Sequence, residues 1–230
     1  MSSSTSQAKV LLMVSGGPDS ATLASFVQKE SAPGVQINAI YLRSGHPSDD
    51  QEIRSANRIL QPIGGKLEII DISPTLAALG ANRILIHSEA SILPFGNVIA
   101  LGIASSYGIR LGVSKIYIAL HADDADENVE YTEQYIQGIN GLFGQASSSA
   151  PEIVAPFIRM RKSEVFKTGV ELGTDYSVTW SCIRGRDIHC GECGACRARR
   201  RAFVAAGIAD PTSYAREPLA IETVSFERTA

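Results

Sequence analysis

The stretch Ser15-Gly16-Gly17-Pro18-Asp19-Ser20 follows four apolar residues, Leu11 to Val14, and runs into a helical pattern. A strand, a glycine turn and a helix start together make an anion site, because the free amides point at the ligand and the helix dipole favours negative charge. The amides of Gly16, Gly17, Asp19 and Ser20 can meet a phosphate. The hydroxyls of Ser15 and Ser20 can add donors, and Asp19 can hold Mg²⁺ against it. The turn contains no lysine, and neither G-x-x-x-x-G-K-[ST] nor G-x-G-x-x-G occurs. The plain alternative is a glycine turn whose serine caps a helix.

A second cluster lies near the other end. All four cysteines, Cys182, Cys190, Cys193 and Cys196, fall within fifteen residues as C-x7-C-x2-C-x2-C. Thiols so spaced in a reducing compartment read as a closed tetrahedral Zn²⁺ site, with no open position for catalysis. Disulfides or an iron–sulfur cluster are the alternatives. His189, next to Cys190, is read as a surface residue rather than a ligand.

Smaller features carry two readings each. Arg159, Arg161 and Lys162 follow a strand end, where cations could stabilise a departing pyrophosphate; a solvated edge is the alternative, and Lys162 is the functional candidate. The run Arg197, Arg199, Arg200 and Arg201 could touch RNA, or form a solvated helix face that offsets an anionic thiolate centre. Asp123, Asp124, Asp126 and Glu127 could bind a second Mg²⁺ or form a solvated acidic loop.

The elements that must position these groups follow from apolar periodicity. Strands are predicted at Val10–Val14, Val35–Leu42, Lys66–Ile72, Lys115–Leu120 and Glu152–Phe157. Helices are predicted after the glycine turn and at Gln51–Leu60, Asn97–Leu111, Tyr131–Phe143 and Ser163–Leu172. Alternating strands and helices imply a parallel sheet covered on both faces, with ligands at the carboxyl ends of the strands. After Tyr176 glycine, arginine and cysteine dominate. The expected division is a disordered tail over 1–9, an α/β domain over 10–176 and an appended metal module over 177–230.

The chain has 230 residues, 44% of them apolar, and a net charge of −3. That balance argues against a protein built to coat nucleic acid. The polar start is neither a signal peptide nor an anchor. The apolar region from about Ile92 to Leu111 is interrupted by Pro94, Gly96 and Asn97, and reads as a buried helix rather than a membrane span. A cytoplasmic protein with reduced thiols is expected.

SGGPDS resembles the SGG-x-D-S loop of the PP-loop ATP pyrophosphatases, which have the adenine nucleotide alpha-hydrolase-like fold. Together with the cysteine segment CGECGACRARRRAF, the stretch PFIRMRKSEVF and LPFGNVIAL, which keeps Pro94 and Asn97, it resembles the 7-cyano-7-deazaguanine synthase (QueC) family. The resemblance runs from Val10 to Tyr214. It implies cleavage of ATP to AMP and pyrophosphate, with Asp19 and Lys162 as catalytic residues and Ser15, Gly16, Gly17, Ser20 and Lys162 around the pyrophosphate. It implies adenylation of 7-carboxy-7-deazaguanine and transfer to ammonia, giving an amide and then a nitrile, in a homodimer. His46, Asn97, Asp124 and Glu130 are the implied substrate contacts. The family's tyrosine–proline–aspartate is here Asn128, Val129 and Glu130, so the substrate half departs from the pattern. Relatives in antiphage systems make a protein amine the alternative acceptor, and a PP-loop tRNA-modifying enzyme is a third reading.

Overall fold

The computed structural model describes residues 8–81 and 95–216. Five parallel strands form one sheet in the order β3-β2-β1-β4-β5. They are β1 (Lys9–Met13), β2 (Gln36–Arg43), β3 (Lys66–Asp71), β4 (Lys115–Tyr117) and β5 (Glu152–Val154). Eight α-helices accompany them: α1 (Pro18–Glu30), α2 (Asp49–Leu60), α3 (Ser73–Ala78), α4 (Gly96–Leu111), α5 (Ala122–Glu127), α6 (Glu133–Ala146), α7 (Lys162–Glu171) and α8 (Gly194–Ala206). Parallel neighbours cannot be joined by a tight hairpin, so each pairing needs a crossover.

The centre of the sheet is why β1 reads as an unbroken apolar run. Val10, Leu12 and Val14 enter one core with Leu23 and Val27 of α1, Val165 and Phe166 of α7, and Phe203 of α8. Leu11 and Met13 point to the opposite core, with Leu101 and Ala104 of α4 and Ile136 and Ile139 of α6. Alternate residues of one strand thus bury on both faces, as expected of a strand inside a parallel sheet. The last helix shares the first of these cores, where Phe203 stands edge-on to Phe166 at 4.7 Å between centroids.

The expected five-stranded parallel architecture is present, with differences at element ends. β4 and β5 have three residues each, because the chain leaves the sheet early to reach the ligand edge. Lys9 opens β1, and the Ala8 carbonyl accepts from Gln36 N, so these two residues belong to the sheet rather than to a tail. Tyr131 lies in a short 3-10 turn and α6 begins at Glu133, where the Thr132 hydroxyl caps it. Pro94 and the start of the apolar region at Ile92 lie outside the described residues. Among the described residues no helix is long and apolar enough to cross a membrane.

Candidate active site

β1 ends at Met13 and α1 begins at Pro18, which sits in the first turn, where its missing N–H costs nothing. Between them Gly16 takes φ +74°, and a Cβ there would collide with the Glu52 carbonyl. Only glycine meets both conditions. Ser15 N donates to Ser20 Oγ at 3.0 Å, and the two serine hydroxyls lie 3.1 Å apart. The hydroxyls read as phosphate donors therefore brace the turn across its mouth.

The lysine missing from the turn arrives from α7. Lys162 Nζ donates to Asp19 Oδ2 at 2.8 Å and lies 3.3 Å from His121 Nε2. Burial works to raise the Asp19 pKa, but the charge of Lys162 and the nearby His121 outweigh it and hold the carboxyl below its ordinary value. Burial works to lower the Lys162 pKa; Asp19, Asp124 and Asp123 reverse this and keep the ammonium charged. His121, only 3% exposed, has its pKa lowered by burial first, against the pull of Asp19. Sequence reasoning passed over His121; its one signal was a place directly after the predicted strand Lys115–Leu120, at the ligand edge.

The acidic stretch after Leu120 is helical rather than a loop, with Asp126 and Glu127 exposed. It is the short helix α5, begun by a capping box in which His121 accepts from Asp124 N and Asp124 accepts from His121 N. Asp124 is half-buried beside His121, and burial pushes its pKa up to about 7. Asp123 accepts from Lys162 N at 2.6 Å and from Arg161, and Arg161 also pairs with Asp126. Arg161 thus borders the site as part of an ion network. Arg159 turns away to a two-pronged pair with Glu133 at 2.8 Å, so no pyrophosphate role follows from its position.

One cavity of about 860 Å³ gathers these groups. Ser15, Gly17, Asp19 and Ser20 line it, as do His121, Asp124 and Lys162. Its far wall is Trp180 and the Arg197 and Arg201 face of α8. Tyr41 and Glu52 line it too. The Tyr41 hydroxyl lies 2.8 Å from both Asp49 and Glu52, and burial and these carboxylates raise its pKa. That trio gave no local sequence signal.

Three of the four substrate candidates sit elsewhere. Glu130 accepts from the Phe95 and Asn97 amides, both at 2.8 Å, so its carboxylate caps α4. Asn97 returns a side-chain bond to the Glu130 carbonyl. His46 Nδ1 lies 2.9 Å from Ser48 Oγ, at the turn into α2. None of His46, Asn97 and Glu130 lines the cavity, whereas Asp124 does.

The cysteines do converge. Cys182, Cys190, Cys193 and Cys196 are all buried and their sulfurs lie within 4.8 Å of one another. Backbone amides point at sulfur: Cys190 N to Cys182 at 3.4 Å, Cys193 N to Cys190 at 3.3 Å and Cys196 N to Cys193 at 3.5 Å. Such donors favour thiolates, and the arrangement can hold a metal ion. Gly191, at φ +82°, makes the turn between Cys190 and Cys193. His189 is not on the surface. It is buried, accepts from Ser181 N at 3.0 Å and lies 4.1 Å from the Trp180 ring, and burial followed by Arg199 lowers its pKa to about 4. Arg199 is likewise no part of a solvated face, being 1% exposed.

A parallel sheet with a lysine-free glycine turn at the end of its central strand defines a PP-loop nucleotide-binding protein. The solved U34-tRNA thiolase NcsA of Methanococcus maripaludis, with its [4Fe-4S] cluster, shares this fold at a TM-score of 0.54 and 18% identity, over 87% of this chain and 68% of that one. The model of the family described as "Queuosine biosynthesis protein QueC" matches residues 9–207, and the chain belongs to that family. The 7-cyano-7-deazaguanine synthase of Methanothrix thermoacetophila is 31% identical over 90% of this chain and 98% of its own length. That of Pseudoalteromonas atlantica is 29% identical over the same shares.

Proposed function

We propose that the protein is an AMP-forming, ATP-dependent carbon–nitrogen ligase of the 7-cyano-7-deazaguanine synthase type. The observation that carries this is the lysine-free turn whose Asp19 takes Lys162 from α7 at 2.8 Å, both lining one cavity. In this reading the carboxylate of 7-carboxy-7-deazaguanine attacks the α-phosphorus of ATP. The bond to the β-phosphate breaks, and pyrophosphate leaves onto Ser15, Gly16, Gly17 and Ser20, where Lys162 offsets its charge. An amine, ammonia in the simplest case, then attacks the acyl carbon and AMP departs. The amide oxygen then attacks the α-phosphorus of a second ATP, releasing pyrophosphate, and loss of AMP and both nitrogen protons gives the nitrile. Asp124, the substrate candidate that faces the cavity, is the acceptor for the ring N–H or the amine proton.

Asp19 Oδ1 is buried without a hydrogen-bond partner among the described residues, which fits it to hold Mg²⁺. The metal's charge would neutralise the phosphates. For the cysteines, a tetrahedron of Zn–S bonds of about 2.3 Å has edges near 3.8 Å. The spread of the sulfurs within 4.8 Å, with Cys190 and Cys196 at 3.9 Å, supports one central Zn²⁺ as a structural ion rather than a cluster.

The position of Glu130 supports a second reading. With that carboxylate capping α4, the deazapurine is held differently from the family pattern, and the second adenylation, which needs the planar amide realigned, suffers most. The product then stops at the amide, and a protein amine becomes the acceptor to try.

The deciding experiment incubates the protein with ATP, Mg²⁺, 7-carboxy-7-deazaguanine and ammonium, and follows nucleotides and products by mass spectrometry. AMP and pyrophosphate with nitrile support the first reading, and amide as the end product supports the second. ADP and phosphate, or no turnover above background, reject both.

A further inference from the structure

The phosphate loop is held from outside as well as by its own serines. Trp180 N donates to the Gly16 carbonyl at 2.9 Å. On the other side Gly16 is packed on the Glu52 carbonyl, so the glycine is clamped between α2 and the segment 176–181. That segment has little regular structure to fix it. The Tyr176 hydroxyl anchors one end, 2.7 Å from Thr22 Oγ1 and donating to Phe166 O at 3.1 Å, and the rest is held by Arg199 from α8, one turn beyond Cys196. Its guanidinium donates to Thr179 Oγ1 at 2.7 Å, Tyr176 O at 3.1 Å and Ser181 Oγ at 3.3 Å, and pairs with Asp210 at 3.1 Å. The Thr179 hydroxyl in turn donates to Tyr176 O at 2.7 Å. From the other end, the Trp180 indole donates to Cys182 O at 2.7 Å and Ser181 N donates to His189.

We propose that Arg199 and Thr179 are positioning residues for the phosphate loop: the cysteine-bearing helix sets the Gly16 peptide through the Arg199–Thr179–Trp180 chain of bonds. A rigid fork that satisfies several acceptors at once is the use to which arginine, not lysine, is suited. The consequence is that the metal module is part of the nucleotide site. The choice of ligand below rests on the proposed pyrophosphate chemistry; the coupling itself does not.

The test compares Thr179→Val, which keeps the shape and removes the hydroxyl, with Thr179→Ser, which restores it. Hydrogen–deuterium exchange of the 12–20 segment is measured without ligand, together with metal content, melting and calorimetric affinity for magnesium pyrophosphate. With metal content equal to wild type, Thr179→Val speeds exchange of the loop and weakens pyrophosphate on the order of tenfold, since a shift of ~1 Å in a reacting site can cost about 10²-fold. Thr179→Ser stays near wild type. Unchanged loop exchange in a folded, metal-replete Thr179→Val overturns the proposal, as does a change seen only where metal is lost. If Thr179→Val does not fold, Ser181→Ala, which removes only the 3.3 Å contact, carries the same comparison at smaller amplitude. Loop exchange that responds while wild type itself ignores pyrophosphate supports the coupling and overturns the functional reading.

Discussion

Lys162 Nζ and Asp19 Oδ2 meet at 2.8 Å although 143 positions separate them in the chain. One is the first residue of α7 and the other lies in the first turn of α1, and the two helices pack on the same face of the sheet. In the proposed chemistry, the lysine that other phosphate loops carry within the turn is supplied across space by Lys162. Removing it should show in chemistry before stability. Lys162→Met is expected to lower kcat/KM for AMP release by about 10²-fold or more, as for loss of one charge-stabilising donor. Lys162→Arg is expected not to restore it, because a planar fork does not replace a compact ammonium beside His121. Discontinuous AMP assays on both variants check this.

Asp124 carries a pH signature. Its folded pKa of about 7 exceeds the ordinary 3.8, so between these values the native state binds more protons than the unfolded one. Its contribution to stability therefore falls as pH rises through that window. Asp19 has the opposite sign, since its lowered pKa favours the native state once ionised. The difference isolates Asp124: Asp124→Asn should gain stability over wild type as pH is raised from 4 to 7. Urea midpoints across that range measure it, and an unchanged difference would contradict the burial of this carboxyl.

Glu130→Gln tests the cap on α4. Loss of a charged acceptor at a helix N-terminus costs about 1 kcal/mol. In a chain of this size that lowers Tm by roughly 2–4 °C. The KM for 7-carboxy-7-deazaguanine should stay within twofold of wild type, as estimated from the absence of a cavity-facing carboxylate there. A large rise in KM with unchanged Tm would return Glu130 to the substrate site.

Cys196→Ser should lose the bound metal and most of the soluble protein together, because metal binding to such a site is coupled to folding. Elemental analysis of wild type is expected to find about one zinc per chain. Iron with visible absorbance would replace the single-ion assignment by a cluster.

The sequence made the sheet legible because β1 is apolar from Val10 to Met13 and β2 from Ile37 to Leu42 but for Asn38, a run that a strand buried on both faces requires. The glycine turn and the cysteine spacing were legible because each is a local pattern. The polar core was not. His121 sat unmarked at the head of an acidic run, and α5 looked like a loop because six residues with four carboxylates show no apolar period. Arg199 was hidden among similar neighbours, and only the packing of α8 shows which arginine turns inward. Glu130 was placed at the ligand by the family resemblance alone; its partners, the amides at the start of α4, lie more than thirty residues away and leave no local signal.

Trp180 is the only tryptophan of the chain. Its ring borders the cavity, its indole bonds to the cysteine segment and its face lies against the neutral His189. The protein therefore contains its own optical probe between the cavity and the cysteine cluster. Intrinsic emission excited selectively at tryptophan should respond to ligand arrival at the loop and to chelation of the cysteines. A single unlabelled sample can then time the two events against each other.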